Sequence, residues 1–239
     1  MESENGEWIM CGVSDSDPCC VKSVEALIDR INEIGFLPLF KNDIVGFSVE
    51  EMTNPNYWWT DHERDPWLWR ELIARDSRIA YGKFFGRRAG FISLKWLPYF
   101  VNFRRDGYDF DSRWEDGKAT ARQKLIMDLF MEGQELFSYE AKRMAGFGKG
   151  GEKNFEGILT ELQMQTYLVT KDFRQRRNKN GETYGWKIAV YSSPEAIWGY
   201  DTVTSAYSEA PEESFQRILD RMTELYPEAD QRLLKKLIK

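Results

Sequence analysis

The feature that most constrains the fold lies between residues 119 and 193, where three helix-like segments precede two strand-like segments. Apolar residues at helical spacing predict helices over residues 120–133, over residues 139–144 and from Glu152 onward. Ser138 is a good N-cap for the second of these helices. A glycine-rich stretch between the second and third helices supplies the tight turn that a helix-turn-helix motif needs.

Two strands are predicted after the third helix, because apolar residues alternate with polar ones around Tyr167 and again around Trp186. Asn180-Gly181 between them is a hairpin signal. Three helices followed by a hairpin are the outline of a winged helix-turn-helix. We therefore predict such a domain over residues 118–200.

The predicted hairpin is basic, so its side chains are candidates for contact with nucleic-acid phosphates. In DNA-binding winged helices the third helix enters the major groove and the wing contacts phosphate. Glu156 and Glu161 on the predicted third helix oppose that role, so contact with DNA and contact with a protein both stay open. The candidate nucleic-acid-binding residues are Lys153, Arg174, Arg176, Arg177 and Lys179, with Arg87 and Arg88 from a second basic segment.

The chain is acidic, with a net charge of −6, but its charge is distributed unevenly. Residues 78–105 hold seven Lys or Arg and no acidic residue, and residues 171–187 hold six against two acidic residues. Two basic segments in an acidic protein predict a local anion-binding surface, with nucleic acid as the partner and DNA favoured over RNA. The alternative is that both segments are ordinary solvated strands or loops.

The chain as a whole predicts an α+β protein, mainly helical. In it, the winged helix-turn-helix domain packs with an aromatic-rich N-terminal α+β region and a C-terminal helical tail. We predict a flexible tail over residues 1–18, the N-terminal region over residues 19–117 and C-terminal helices over residues 201–239. In the N-terminal region, a helical apolar stripe ends at Gly35, which is placed as a C-cap.

Residues 57–70 combine tryptophans with charged side chains more densely than any other segment. A carboxylate against aromatic walls can have a raised pKa and serve as acid or base, and flipped bases are held between aromatic faces. Glu63 and Asp65 are therefore the candidate catalytic residues, although Asp65 before Pro66 also fits a helix N-cap. The candidate pocket residues are Trp58, Trp59, His62, Trp67, Trp69, Arg70 and Lys83.

Several motifs resemble those of one known group of proteins. They include Leu162-Gln163-Met164-Gln165, Tyr184-Gly185-Trp186, Trp198-Gly199 and the segment from Asp65 to Arg70. Over roughly residues 25–200 the chain resembles proteins related to the AlkZ-type winged-helix DNA glycosylases. The resemblance implies a winged-helix scaffold and a link to alkylated or damaged DNA. Those glycosylases carry a catalytic Gln-x-Gln or Gln-x-Asp motif near the N-terminus, whereas the match here lies late in the chain, so neither glutamine is assigned a role.

Three functions follow from these patterns as alternatives. The first is a nucleic-acid-binding winged-helix protein linked to damaged or alkylated DNA. The second is a DNA glycosylase that uses a carboxylate of the Trp58 to Trp69 segment. The third is a non-catalytic module that binds a protein or a small molecule.

The sequence predicts no cofactor and no metal site. Three cysteines near the N-terminus and one histidine do not have metal-ligand spacing. The first residues are acidic and do not resemble a signal peptide, and no stretch has the length of a membrane span. We therefore expect a cytoplasmic protein with no membrane partner, and the sequence leaves the oligomeric state open.

Overall fold

The computed structural model of the chain describes residues 2–4 and 7–239, with side chains from residue 10 onward. The protein has a mixed α+β fold, as its sequence predicts, that combines α-helices with small antiparallel sheets. The chain divides into two compact units. Unit 1 contains Met1–Leu97 with Phe215–Lys239, and unit 2 contains Pro98–Ser214.

Helices and strands in both units are short. Up to residue 93 they are β1 (Glu2–Glu4), β2 (Glu7–Ile9), α1 (Val24–Ile34), β3 (Phe36–Pro38), α2 (Pro66–Asp76), β4 (Ile79–Phe85) and β5 (Arg88–Ser93). They continue with α3 (Leu97–Arg105), α4 (Phe110–Glu115), α5 (Ala121–Met127), β6 (Leu136–Phe137), α6 (Ser138–Met144), α7 (Phe155–Met164) and β7 (Val169–Arg177). The last are β8 (Thr183–Ser192), α8 (Pro194–Trp198), α9 (Tyr200–Val203), α10 (Pro211–Leu225) and α11 (Gln231–Ile238).

Helix α1 shows how local sequence sets the bounds of an element. The Ser23 hydroxyl accepts a hydrogen bond from the Ala26 N–H at 3.2 Å and caps the helix. Gly35 ends it with a φ of 110°, a backbone conformation that costs glycine little. Between these caps the apolar stripe is buried, so the C-cap predicted at Gly35 is confirmed.

Unit 1 contains a three-stranded antiparallel sheet with the order β3-β5-β4. Phe36 of β3 pairs with Ile92 of β5, and Pro38, which has no N–H to donate, lies in an edge strand. Gly86 and Arg87 join β4 to β5 and both have positive φ, 55° and 66°. Such angles are those of a tight hairpin turn, which places Arg87 and the residue after it at the end of the hairpin.

Unit 2 contains the predicted order of three helices, α5 to α7, followed by a hairpin of β7 and β8. The short strand β6, between α5 and α6, was not predicted; it pairs with β8 and gives an antiparallel sheet of order β6-β8-β7. The helices and the start of the hairpin share one buried core. Its most deeply buried members include Ile126, Phe130, Leu159, Leu162 and Tyr167.

Two helices of unit 2 are shorter than predicted. Helix α5 ends at Met127 rather than at residue 133, because the next residues bond to carbonyls three positions back and form turns. Helix α7 begins at Phe155 rather than at Glu152, because Asn154 has a left-handed φ of 67° that a helix cannot include. Glu152 instead exchanges backbone hydrogen bonds with the glycine-rich turn, donating to Gly146 at 3.0 Å.

The β7–β8 hairpin lies where Asn180-Gly181 predicts it, but its loop is longer than two residues. The strands end at residues 177 and 183. The Asn178 carboxamide oxygen accepts from the backbone N–H groups of Asn180 at 2.9 Å and Glu182 at 3.0 Å. These bonds close the loop, because asparagine readily mimics a backbone turn.

Part of the predicted tail makes hydrogen bonds to the rest of unit 1. The Val13 N–H donates to the Thr53 carbonyl at 3.1 Å, and Asp15 accepts from Arg64 at 2.6 Å. Residues 1, 5 and 6 of that tail lie outside the described residues. The domain bounds given from sequence, including the boundary at residue 118, stay a prediction.

Helix length bears on the membrane question. Helix α10 has 15 residues, fewer than the roughly 20 apolar residues that a bilayer crossing takes. Across residues 2–4 and 7–239, no helix combines the length and the apolar character of a membrane span.

Two tyrosines have pKa values that burial raises, and we therefore expect the protein to lose stability at alkaline pH. Burial raises the pKa of Tyr226 to about 12, and burial likewise raises the pKa of Tyr207 to about 12. An unfolded tyrosine ionises near pH 10. Between about pH 10 and pH 12 the unfolded chain therefore loses protons that the folded chain keeps, so the contribution is complete below pH 10 and is lost as the pH rises towards 12.

Tyrosinate absorbance in a pH titration checks this expectation. We expect a late ionisation step that loses one proton in Tyr226→Phe and one in Tyr207→Phe. The stability of each variant should also fall less steeply across this range. Ionisation of every tyrosine in a single step near pH 10, before unfolding, would contradict it.

Candidate functional site

The basic hairpin of unit 2 holds its cations in two different ways. The Arg174 Nε donates to Asp172 at 2.7 Å and its Nη2 donates to Glu135 at 2.6 Å. Burial acts to lower the pKa of Arg174, but these carboxylates outweigh it and raise the pKa above its ordinary value. Arg177 and Lys179 are exposed, and their side chains have no ion-pair partner in the described chain. Arg174 is thus the least available of the predicted hairpin contacts.

Exposed aromatic rings accompany these cations. The Arg176 guanidinium lies 4.6 Å from the centre of the Tyr139 ring on α6, a cation–π distance. Tyr184, opposite Arg176 on β8, is 48% exposed and Trp186 is 92% exposed. Gly185 between them has a φ of 73° beside a shift in strand register. Rings on a basic surface are the arrangement on which nucleic-acid bases stack.

An open groove beside α6 adds a second set of cations. It is lined by Tyr139, by Lys142 and Arg143 of α6, and by the glycine-rich turn of residues 146–151 with Lys149. The three cations are exposed and have no ion-pair partner among the residues that the structure describes. Tyr139 lines the groove, and its ring also contacts the Arg176 guanidinium. The groove and the hairpin therefore form one surface, which we call the basic face.

The sequence did not identify the groove residues as candidates, although it did name Lys153 as a candidate nucleic-acid contact. Lys142 and Arg143 carry a local signal, since they are an adjacent basic pair at the end of a helix that runs into a glycine-rich turn. Lys153 is exposed, but it lies just before α7 rather than within the third helix, where it was predicted. Glu156 and Glu161 on α7 are also exposed, so this helix presents mixed charge.

In unit 1 the predicted pocket residues are only partly brought together. The Phe40 ring centre lies 5.8 Å from that of Trp58 and 6.2 Å from that of Trp67, and Trp59 lies 6.5 Å from Trp67. Trp58 is buried, whereas Trp59 is 46% exposed. We call this set of four rings the aromatic cluster. Trp69 is buried and is held by a hydrogen bond from its indole N–H to a backbone carbonyl at 2.7 Å.

Asp65 is completely buried and accepts four backbone hydrogen bonds. Its Oδ1 accepts from Trp59 at 3.1 Å and from Trp67 at 2.8 Å. Its Oδ2 accepts from Thr60 at 2.9 Å and from Asp61 at 3.0 Å. A carboxylate has about four lone-pair sites, so these bonds use all of them. The N-cap role predicted for Asp65 is confirmed, and the catalytic role stays a prediction.

Glu63 and His62 lie on the outside of the same loop. The Glu63 side chain is exposed, and its backbone carbonyl is the acceptor for Trp69. His62 is exposed, and its Nδ1 accepts from the Arg64 N–H at 3.1 Å. The two candidate catalytic carboxylates therefore differ, since Asp65 is committed to the backbone and Glu63 faces solvent.

The remaining predicted residues of unit 1 lie on α2 and on the β4–β5 hairpin. Arg70 is buried, with its guanidinium 3.6 Å from the centre of the Trp67 ring. Lys83 is half-buried on β4, and Arg87 and Arg88 are exposed at the hairpin turn. These residues belong to unit 1, whereas the basic face belongs to unit 2.

The two glutamines of the family-like motif make separate contacts. Gln163 is buried and its carboxamide donates to the Leu159 carbonyl at 3.3 Å. Gln165 is the C-cap of α7 and accepts from the Gln123 carboxamide at 3.1 Å. Their placement agrees with ordinary helix-terminal residues.

Metal ligation has no evident location in the described part of the chain, where no group of three His, Cys, Asp or Glu side chains is placed to hold an ion. Cys11, Cys19 and Cys20 are all free thiols.

The geometry therefore defines a mixed α+β protein whose second unit joins a helical core to a basic, aromatic hairpin. The AlkZ-related family matches residues 21–239, nearly the whole chain. The chain belongs to the AlkZ-related family, which confirms the resemblance seen in its motifs. No curated protein and no solved structure matches it.

Proposed function

We propose that residues 118–200 form a winged helix and that its basic face binds DNA. The order of elements supports this fold: α5, β6, α6 and α7 are followed by the β7–β8 hairpin, and β8 of the hairpin pairs with β6. The choice of DNA as ligand is supported by membership of the AlkZ-related family, whose name suggests a role related to DNA repair. The hairpin of β7 and β8 is then the wing.

One observation carries the proposal, namely a set of exposed cations that have no ion-pair partner in the part of the chain that the structure describes. In a chain of net charge −6, acidic side chains are abundant enough to pair with exposed cations, as Glu135 pairs with Arg174. Cations without such partners are available to phosphate, which attracts them strongly at low salt. The set consists of Lys142, Arg143 and Lys149 at the groove with Arg177 and Lys179 on the wing.

The exposed rings favour DNA whose stacking is disturbed. Tyr184 and Trp186 offer flat faces beside the cations, and base–aromatic stacking is worth about 1–3 kcal/mol per base. A damaged or mismatched base leaves the duplex at a lower cost than an intact one. We propose that the basic face binds backbone phosphates while these rings contact unstacked bases.

We propose that the protein binds DNA, and we assign no residue a catalytic role. The lone pairs of Asp65 are occupied by backbone N–H groups. Gln163 and Gln165 have structural partners. A glycosylase that uses Glu63 remains an alternative that activity measurements can decide.

Binding of a fluorescent DNA duplex, followed by anisotropy across a salt series, tests the proposal. The variant Lys142→Ala/Arg143→Ala/Lys149→Ala removes three phosphate contacts, so the slope of log affinity against log salt should fall by about 2–3. We expect its affinity at low salt to fall at least about tenfold. Trp186→Ala should weaken single-stranded or lesion-containing DNA by about fivefold or more, and intact duplex less.

The matched control is Lys22→Ala/Arg232→Ala/Lys235→Ala, which removes the same charge from exposed positions of unit 1. Its binding should stay within about twofold of wild type if contact is local. Equal losses in both triple variants would mean that net charge alone attracts DNA. Undetectable binding by the wild type at low salt would remove the proposal.

A further inference from the structure

Unit 1 contains a partly enclosed cavity of about 270 Å³ that the proposed DNA contact does not use. Its apolar lining comes from Phe40, Ile44 and Phe85 and from Leu233 and Leu237 of α11. A water molecule takes up about 30 Å³ in the liquid, so the cavity has the volume of roughly nine water molecules. Most of its lining residues are apolar, and its volume lies just below the range of about 300–1,000 Å³ that is typical of small-molecule sites.

Two neighbouring stripes on helix α11 explain why the cavity stays open. Leu234 and Ile238 are buried and anchor the helix in unit 1. Leu233 and Leu237, four positions apart, are half-buried and line the cavity. The helix is therefore fixed in place by one stripe while the other lines a space that no side chain fills.

The charged residues that line the cavity, Asp43, Arg88 and Lys236, give it a net positive charge of one unit. Lys236 is paired with Asp43 at 3.3 Å, so these two charges offset each other. Arg88, placed here by the tight turn before β5, has no ion-pair or hydrogen-bond partner for its side chain in the described chain. Asn42 is occupied, since its carboxamide donates to Phe47 at 2.7 Å.

The geometry points to a binding site for a small amphipathic monoanion, with a carboxylate at Arg88 and an apolar body along Phe40, Phe85 and Leu237. A planar guanidinium matches the two oxygens of a carboxylate. One uncompensated positive charge favours a monoanion over a dianionic phosphate. Phe40 also belongs to the aromatic cluster, so its ring borders both that cluster and the cavity.

Calorimetric titration with octanoate, 1-octanol and octylamine tests this site on the full chain. Octanoate has about the size of the cavity, and the three probes share a tail and differ in head charge. We expect octanoate to bind, octanol to bind more weakly and octylamine to be excluded. In Arg88→Ala the affinity for octanoate should fall about three- to tenfold, while that for octanol stays the same.

Two further variants keep the result specific. Arg87→Asn removes an adjacent charge that does not line the cavity and tolerates the positive φ of this position, so octanoate affinity should stay unchanged. Leu237→Trp fills the cavity and should abolish binding of octanoate, with the fold checked by circular dichroism. Equal affinity for octanoate and octanol, unchanged octanoate binding in Arg88→Ala, or no octanoate binding by the wild type would each overturn the inference.

Discussion

Asp65→Asn is expected to lower the free energy of unfolding by about 2–4 kcal/mol, since hydrogen bonds to a charged acceptor are worth about 1.5–3 kcal/mol each. The carboxamide has one accepting oxygen where the carboxylate has two. Its NH2 group would face two of the four backbone N–H donors that now bond to Asp65. The cap of α2 would also weaken.

Backbone strain adds to this cost. Trp59 and Asp61 have positive φ of 61° and 55°, a conformation that side chains other than glycine rarely adopt. The Asp65 carboxylate accepts a hydrogen bond from the backbone N–H of both residues. These bonds compensate the backbone strain at Trp59 and Asp61. Without it we expect the loop to relax and the exposed tryptophan to change its fluorescence.

Urea denaturation measures the loss, and Glu63→Gln is the matched control. Glu63 is exposed two positions earlier in the same loop, so neutralising it should change the unfolding free energy by less than about 0.5 kcal/mol. An Asp65→Asn protein as stable as Glu63→Gln would show that the four bonds are dispensable. If base release from alkylated DNA is detectable, its loss in the stable Glu63→Gln variant would assign catalysis to Glu63.

The features that the sequence predicts best depend on residues close together in the chain. Gly35 ends α1, and Asp65 with Pro66 begins α2, because capping acts within a single helical turn. The hairpin position follows from Asn180-Gly181 in the same way, although its loop is longer. Backbone chemistry of this range requires no knowledge of tertiary contacts.

The features that the sequence does not predict depend on distant residues. Strand β6 has only two residues and forms because it pairs with β8. A segment this short has no alternation of apolar and polar residues from which a strand could be predicted. Arg174 is neutralised by Glu135, 39 positions away, which no charge count along the hairpin reveals. The groove cations become a site only because α6 and the glycine-rich turn bring Lys142 and Lys149 to one surface.

The candidate site in unit 1 shows the same division. Trp58, Trp59 and Trp67 were expected to lie together and do so, since they are near one another in sequence. Sequence cannot distinguish a catalytic Asp65 from a backbone acceptor, because that depends on where the loop turns its N–H groups. Arg88 was assigned to nucleic acid from its charge alone, whereas its place at the cavity depends on α11.

Glu195→Gln is expected to cost about 3–5 kcal/mol, because it leaves a buried guanidinium without a counter-charge. Arg105 is 1% exposed; it donates to Glu195, and to the Thr166 carbonyl at 2.7 Å. Burial acts to lower the pKa of Arg105, but Glu195 outweighs it and the pKa is raised. Thr166 has a left-handed φ of 62° between α7 and β7, so Arg105 also holds a strained turn just before the β7–β8 hairpin.

A double variant separates the buried charge from the rest of this network. Arg105→Met combined with Glu195→Gln removes the guanidinium together with its partner, so it should be more stable than Glu195→Gln alone by about 1 kcal/mol or more. It should remain less stable than the wild type, because the buried Thr166 carbonyl loses its donor.

Urea unfolding of the three proteins gives these differences, and Asp106→Asn provides the comparison with an exposed pair. Asp106 and Lys118 are 3.3 Å apart on the surface, where an ion pair is worth about 0–1 kcal/mol. Asparagine tolerates the positive φ of 57° at this position. A double variant no more stable than Glu195→Gln would contradict the prediction, since removing the buried charge would then recover no more than the lost Arg105 bond to Thr166 costs.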